Sequence, residues 1–165
     1  MQSLDKIIRA PLRLLGQHEV EIVIIGGVAA TLYGSAQLTN DLDVCYARHP
    51  KNLDKLANAL QSVNAQLRGV PDNVPFLLDA KTLRKGLNFT FTTDIGSLDL
   101  FGEVRGVGPY GEALAGSVTY ELFGYRFPVI EIGKLILAKR AAGRPKDLIA
   151  IPELEAIQER QTIEE

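Results

Sequence analysis

Glu21-Ile22-Val23-Ile24-Ile25-Gly26-Gly27-Val28-Ala29-Ala30-Thr31-Leu32-Tyr33 is the stretch on which the reading of the chain turns. Its first five residues are short, β-branched and almost wholly apolar, the pattern of a strand buried on both faces. Gly26-Gly27 ends that strand, and Val28 to Tyr33 suits a short helix. Glycines at such a junction let the backbone approach an anion closely. The helix start offers unpaired N–H groups and the positive end of the dipole. The same pair also suits a plain tight turn between strand and helix.

Downstream, Gly34 to Gln37 reads as a loop and Asp41 to Tyr46 alternates as a second strand. Residues two apart in a strand share a face, so Asp41 and Asp43, about 7 Å apart at Cα, can converge on one hard divalent cation. Asn40-Asp41 also fits a turn. Asp43, between Leu42 and Val44, fits only the strand. A third acid, Asp99, stands inside the apolar run Ser97-Leu98-Asp99-Leu100-Phe101, on the face opposite Leu98 and Leu100. Alone it could be an edge-strand gatekeeper. If its strand lies beside that of Asp43, the three carboxylates meet, at a cost in repulsion that a divalent cation removes. In-line displacement at phosphorus uses such a site.

The remaining pattern is mixed. Helical spacing predicts a first helix with Ser3 as its cap and Pro11 kinking or dividing it. Pro50 to Ser62 is amphipathic, and Leu77 to Lys85 is a helix stopped by Gly86. Asn88 to Thr93 and Ser97 to Phe101 form a hairpin around Asp94-Ile95-Gly96, and Val118 to Leu122 and Arg126 to Ile130 form another. Gly102 to Gly116 reads as loop with one helical turn. Leu135 to Ala142 and Lys146 to Arg160 are the last helices, the second bent near Pro152. This order predicts an α+β fold, a mixed twisted sheet flanked by helices, rather than a doubly wound parallel sheet.

The chain has 165 residues, 46% of them hydrophobic and 23% charged, with net charge −2. This is the composition of one folded domain, 1–165, with a C-terminal helical segment from about 132, and it excludes a strongly basic nucleic-acid binder. One cysteine, Cys45, excludes an intrachain disulfide and a Cys-based zinc site. The two histidines, His18 and His49, are too few for a His-rich metal centre. The N-terminal residues lack a long apolar run, so neither a signal peptide nor a membrane span is expected, and a cytoplasmic protein is. No P-loop, Rossmann fingerprint or Gly-x-Ser-x-Gly elbow occurs.

Ile24-Ile25-Gly26-Gly27, then Thr39-Asn40-Asp41-Leu42-Asp43-Val44, then Ser97-Leu98-Asp99-Leu100, resemble the signature of the DNA polymerase β-like nucleotidyltransferase superfamily. Lys139 to Leu148 is similar to the closing segment of the minimal, AbiEii-like members, many of them in toxin–antitoxin modules. The resemblance implies the nucleotidyltransferase fold. It also implies Mg²⁺- or Mn²⁺-dependent transfer of a nucleoside monophosphate from an NTP to a hydroxyl acceptor: protein, tRNA or small molecule. Gly26, Gly27, Thr39, Arg144 and Lys146 would then contact nucleotide, and Asp41, Asp43 and Asp99 would hold metal, with Asp99 alternatively the base. Lys139 would meet the triphosphate and Asp147 would hold Lys139 or the metal site in place. Read without the resemblance, Lys139 could be a snorkelling surface lysine and Asp147 a helix cap. Gln37 stands where an arginine is usual and Ala150 where a second aspartate is. The partners implied are NTP, the acceptor, and an antitoxin or a second copy of the chain. The other reading is a catalytically weakened module of the same fold that binds nucleotide or a partner.

Overall fold

The alternation Leu42-Asp43-Val44-Cys45-Tyr46 places two kinds of side chain on the two faces of one strand, and the sheet is built around it. The computed structural model describes residues 2–71, 73 and 76–164. Helix α1 (Gln2–Gln17) leads to β1 (Ile22–Ile25), α2 (Gly26–Leu32) and β2 (Leu42–Tyr46). Then come α3 (Pro50–Ser62), β3 (Gln66–Leu67), α4 (Ala80–Lys85), β4 (Asn88–Thr93) and β5 (Gly96–Phe101). A small ribbon, β6 (Glu103–Val104) and β7 (Gly108–Pro109), precedes α5 (Tyr110–Leu114). The chain continues through β8 (Val118–Leu122), β9 (Tyr125–Val129), α6 (Ile132–Ala142) and α7 (Pro145–Glu164).

The main sheet runs β3-β4-β5-β2-β1-β9-β8. β2 is antiparallel to β1 but parallel to β5, and β1 is parallel to β9, so the sheet is mixed as its sequence pattern predicts. α1 lies against β2, β5, β9 and α3, and α2 packs against β1, β2 and α6. All four residues of β1 are buried, which is why it reads as a continuous apolar run.

Several boundaries differ from the sequence reading, each for a local reason. Ser3 lies inside α1, so it is not its cap, and Pro11 sits within one continuous helix rather than dividing it. An interior proline costs a helix about 3 kcal/mol. Burial of Leu4, Ile8, Leu12 and Leu15 along one face, at roughly 1.5–3 kcal/mol each, exceeds that. Pro152 is likewise carried inside α7, where Ile151, Leu154 and Ile157 are buried. α4 begins at Ala80 because Asp79 caps it, accepting from the Thr82 N–H at 2.7 Å. The two-residue strand β3 and the β6–β7 ribbon have no periodicity to announce them. α6 starts three residues earlier than the Leu135 expected from sequence, at Ile132. Among the described residues no helix is long and apolar enough to cross a membrane.

One buried polar side chain ties the first two strands to α3. Asn52, 0% exposed, accepts from the Glu21 N–H at 2.7 Å and donates to the carbonyls of Ala47 (2.7 Å) and Glu21 (3.1 Å). Asn52→Ala strips three backbone groups of their partner. At about 1 kcal/mol net per bond the expected loss is about 3 kcal/mol, read as a lower urea midpoint with unchanged slope.

Candidate active site

Asp43 stands at the crossing of two strand ladders. It is opposite Ile25 in β1 and opposite Asp99 in β5. Side chains in register on neighbouring strands share a face, so the β2–β5 pairing sets Asp43 beside Asp99 and turns Leu42, Val44, Leu98 and Leu100 into the core. Asp41 precedes β2 rather than lying in it, yet its charge still reaches Asp43. Burial pushes the Asp43 carboxyl up, and the charges of Asp99 and Asp41 and a hydrogen bond with Asp99 push it further, to about 7; Lys146 offsets a part. Among the described residues, Asp43 Oδ1 is the one buried side-chain oxygen or nitrogen with no hydrogen-bond partner.

The glycine pair is fitted to these acids. Gly26 has φ +65°, and a Cβ there would stand 2.5 Å from Asp43 Oδ2. A Cβ on Gly27 would stand 2.7 Å from Thr39 Oγ1, so Thr39 packs directly over the start of α2. The Thr39 hydroxyl donates to the Asp41 carbonyl at 3.2 Å and thereby shapes the approach to β2. The preceding loop is fastened to α7, where the Glu153 carboxylate accepts from the Ser35 hydroxyl and from the Ala36 N–H.

Across the cleft lies a second charged group. The Asp147 carboxylate, 2% exposed, accepts from Arg144 Nε at 2.6 Å and faces Lys139 Nζ at 3.8 Å. It also accepts from the Arg144 backbone N–H at 3.2 Å, so it closes the N-terminus of α7 as well. Burial alone would raise its carboxyl; the hydrogen bonds from Arg144 and the charges of Arg144 and Lys139 outweigh it and hold it below the usual range. Burial lowers Lys139, partly countered by Asp147 and Asp43. Asp147 thus touches both the backbone at the start of α7 and the Lys139 ammonium.

Asp43, Gly26, Lys139, Arg144 and Asp147 line one cleft of about 390 Å³. Its other walls are apolar, from Ile25, Phe101, Val104, Ile130 and Leu135, with Asn88, Glu103 and Arg105 at the side. Lys146 is exposed at the start of α7. Two other lysine and arginine side chains of this region are engaged elsewhere: Lys134 donates to the Glu112 and Ala115 carbonyls, and Arg140 faces Glu155 at 3.9 Å.

Arg68 is a site residue that sequence reasoning missed. It follows β3, reaches over β4 and donates to Asp99 Oδ1 at 2.9 Å. Nothing local marks it, because its partner lies thirty-one residues away and the strand it follows is two residues long. Among the described residues no group of three or more His, Cys, Asp or Glu side chains is arranged to hold a metal ion. The acids that face each other are Asp43 and Asp99, with Asp41 acting on Asp43 through its charge.

No protein-family model matches the chain, and no curated protein matches it at the sequence level. Its fold is found in solved structures. The lincomycin-bound crystal structure of lincosamide antibiotic adenylyltransferase LnuA superimposes with a TM-score of 0.58 at 15% identity, over 91% of this chain and 95% of that one. The solution structure of the antibiotic-resistance factor ANT(2'')-Ia gives a TM-score of 0.48 at 13% identity, over 95% and 94%. The mixed twisted sheet with flanking helices is thus a fold that this chain shares with the adenylyltransferase LnuA.

The Asp43 geometry fixes the sign of a pH effect. Unfolded, the carboxyl ionises near 3.8; folded, near 7. Between these values the folded chain holds the extra proton, so this contribution is complete at low pH and is lost as pH rises through about 7. Asp43→Asn is therefore expected to exceed wild type in stability at about pH 8, in chelator, by on the order of a few kcal/mol. The gap closes toward about pH 4, and paired urea titrations across that range check it.

Proposed function

We propose that the chain transfers a nucleoside monophosphate from an NTP to a hydroxyl acceptor, releasing pyrophosphate. The observation that carries this reading is Asp43. It is a half-buried carboxylate whose inner oxygen, Oδ1, is buried and unpartnered, set by strand register against Asp99 and pressed against the glycine start of α2. A lone buried charge of that kind is costly unless a cation or a proton meets it.

The residues present fit a divalent cation. Asp43 and Asp99, supported by Asp41, offer hard carboxylate oxygens, and Mg²⁺ is commonly held by one or two carboxylates together with substrate phosphates and water. A site without three convergent protein ligands is compatible with that habit. Such an ion, when bound, supplies charge stabilisation for the triphosphate and lowers the pKa of an attacking oxygen.

The chain's own groups do the rest. Gly26 and Gly27 let the start of α2 pack close against Asp43 and Thr39, and its backbone N–H groups, which the Ile25 side chain does not cap, are the ones that would meet phosphate oxygens. Thr39 holds that junction and the approach to Asp41 together. Lys139, kept in place by Asp147, meets the charge that develops on the departing pyrophosphate, and Arg144 and Lys146 add to it at the cleft mouth. The acceptor oxygen attacks the α-phosphorus, the bond from that phosphorus to the bridging oxygen breaks, and Asp99 takes the acceptor's proton. The apolar wall of Ile25, Phe101 and Ile130 takes the less polar parts of the bound molecules and excludes water. The acceptor is a hydroxyl of a protein, a tRNA end or a small molecule; LnuA, the adenylyltransferase sharing the fold, acts on a lincosamide antibiotic. A toxin role, with an antitoxin or second copy completing the open side of the cleft, belongs to the same reading.

Label transfer tests it. Purified protein with each α-labelled NTP, Mg²⁺ and a cell extract is expected to label a product and release pyrophosphate. Asp43→Asn or Asp99→Asn should lower the rate by roughly 10²–10⁴. Lys139→Ala should lower it by roughly 10²–10³ through kcat, with the fold intact by circular dichroism. Nucleotide binding with neither label transfer nor pyrophosphate from any of the four nucleotides would replace the enzyme with a nucleotide-binding module.

A further inference from the structure

Arg68 is the one cation directly bonded to Asp99 among the described residues, and it comes from outside the cleft. Its backbone N–H donates to the Thr90 carbonyl at 2.8 Å, which pins the residue to the rim of β4. One guanidinium nitrogen, Nη2, serves two acceptors: the Phe91 carbonyl at 2.7 Å and Asp99 Oδ1 at 2.9 Å. The contact to Asp99 is thus single, not the two-pronged pairing that makes arginine–carboxylate bonds strong. Asp99 is 13% exposed at its side chain and Arg68 34%, so the pair is partly open to water.

We propose that Arg68 is a counter-ion latch on the acidic site: it neutralises Asp99 in the cation-free protein, and a divalent cation must displace it to use that carboxylate. The inference rests on the cation reading of Asp43 and Asp99 given above. Strand register forces these two acids together. Without a counter-charge the sheet would carry their repulsion through its centre. Arg68 relieves it from the Asp99 side and leaves the buried Asp43 Oδ1 without a hydrogen-bond partner. The cost falls on the incoming cation, which meets a positive charge already seated on one of its ligands. Surrender of the single bond needs only a side-chain movement, because the backbone anchor on Thr90 and the Phe91 carbonyl keep Arg68 in place. The latch therefore sets the cation concentration at which the site fills, and protects an empty site from opening.

The experiment is Mn²⁺ binding without nucleotide, read from the paramagnetic resonance signal of the free ion. The proteins are wild type, Arg68→Gln, Arg68→Ala, Arg68→Lys and Asp43→Asn. Glutamine keeps a donor for the Phe91 carbonyl and removes the charge, so it tests the latch if the alanine variant is too unstable to fold. Removing one like charge a few ångströms from the ion is expected to tighten Mn²⁺ binding roughly tenfold in Arg68→Gln. Lysine should stay near wild type, and Asp43→Asn should lose binding. A purely structural role for Arg68 moves the result the other way, because a disordered Asp99 binds the ion less well. Equal or weaker binding in Arg68→Gln, with Asp43→Asn still defective, overturns the latch and leaves the cation reading standing. Mn²⁺ binding that Asp43→Asn does not alter removes the cation reading, and the latch with it.

Discussion

Two carboxylates pressed together by strand register are the constraint from which the rest of the structure follows. Asp43 and Asp99 face each other because β2 and β5 pair in parallel with Leu42 opposite Leu98 and Val44 opposite Leu100. A slip by one residue would separate the acids but would turn both pairs of core residues out of the core. The hydrophobic gain of keeping four aliphatic side chains buried outweighs the electrostatic cost of two acids on the opposite face. The repulsion is built in by packing, and the surroundings answer it with Arg68 on the Asp99 side only, leaving the buried Asp43 Oδ1 without a partner on the other.

The positive side of the cleft is organised with economy of residues. Asp147 completes the N-terminus of α7, holds the Arg144 guanidinium and fixes Lys139, all through one buried carboxylate. Gly143, at φ +66°, ends α6 in the left-handed conformation and lets α7 begin two residues later. The relation between the lysine of one helix and the aspartate of the next is set by that tight corner. A charge that would be a mobile surface lysine elsewhere is here 13% exposed and directed.

The parts of the site that the sequence made legible share one property: their signal is local. Gly26-Gly27 interrupts an apolar strand, Asp43 puts a carboxylate between Leu42 and Val44, and Asp99 stands alone among leucines. Each violates a simple rule for its element, and sites are where such rules are broken. Asp147 as a cap was legible for the same reason, since that depends on its position at a helix start; its contact with Lys139 was implied only by the resemblance of the segment Lys139 to Leu148. Arg68 was not legible, because its significance lies wholly in a partner across two strands. The expected division of the first helix at Pro11 failed in the other direction. Pro11 and Pro152 are local breakers, but tertiary burial along α1 and α7 overrides them. The β3 strand and the β6–β7 ribbon are two residues per strand, too short for any period to show.

Thr39 and Gly27 occupy what is in effect one shared volume. The absent Cβ of one is filled by the hydroxyl and methine of the other. The glycine-led turn that would cradle phosphates and the lead-in to the acids therefore do not vary independently, although eleven intervening positions separate them in the chain. A larger residue at 27 is admissible only alongside a smaller one at 39. Scanning either position singly would report intolerance at both, whereas varying the two together would uncover combinations that neither scan finds. In an evolving lineage the first change of such a pair must wait for, or be sheltered by, the second, so the route between glycine-led and side-chain-led forms of this turn passes through a narrow set of intermediates.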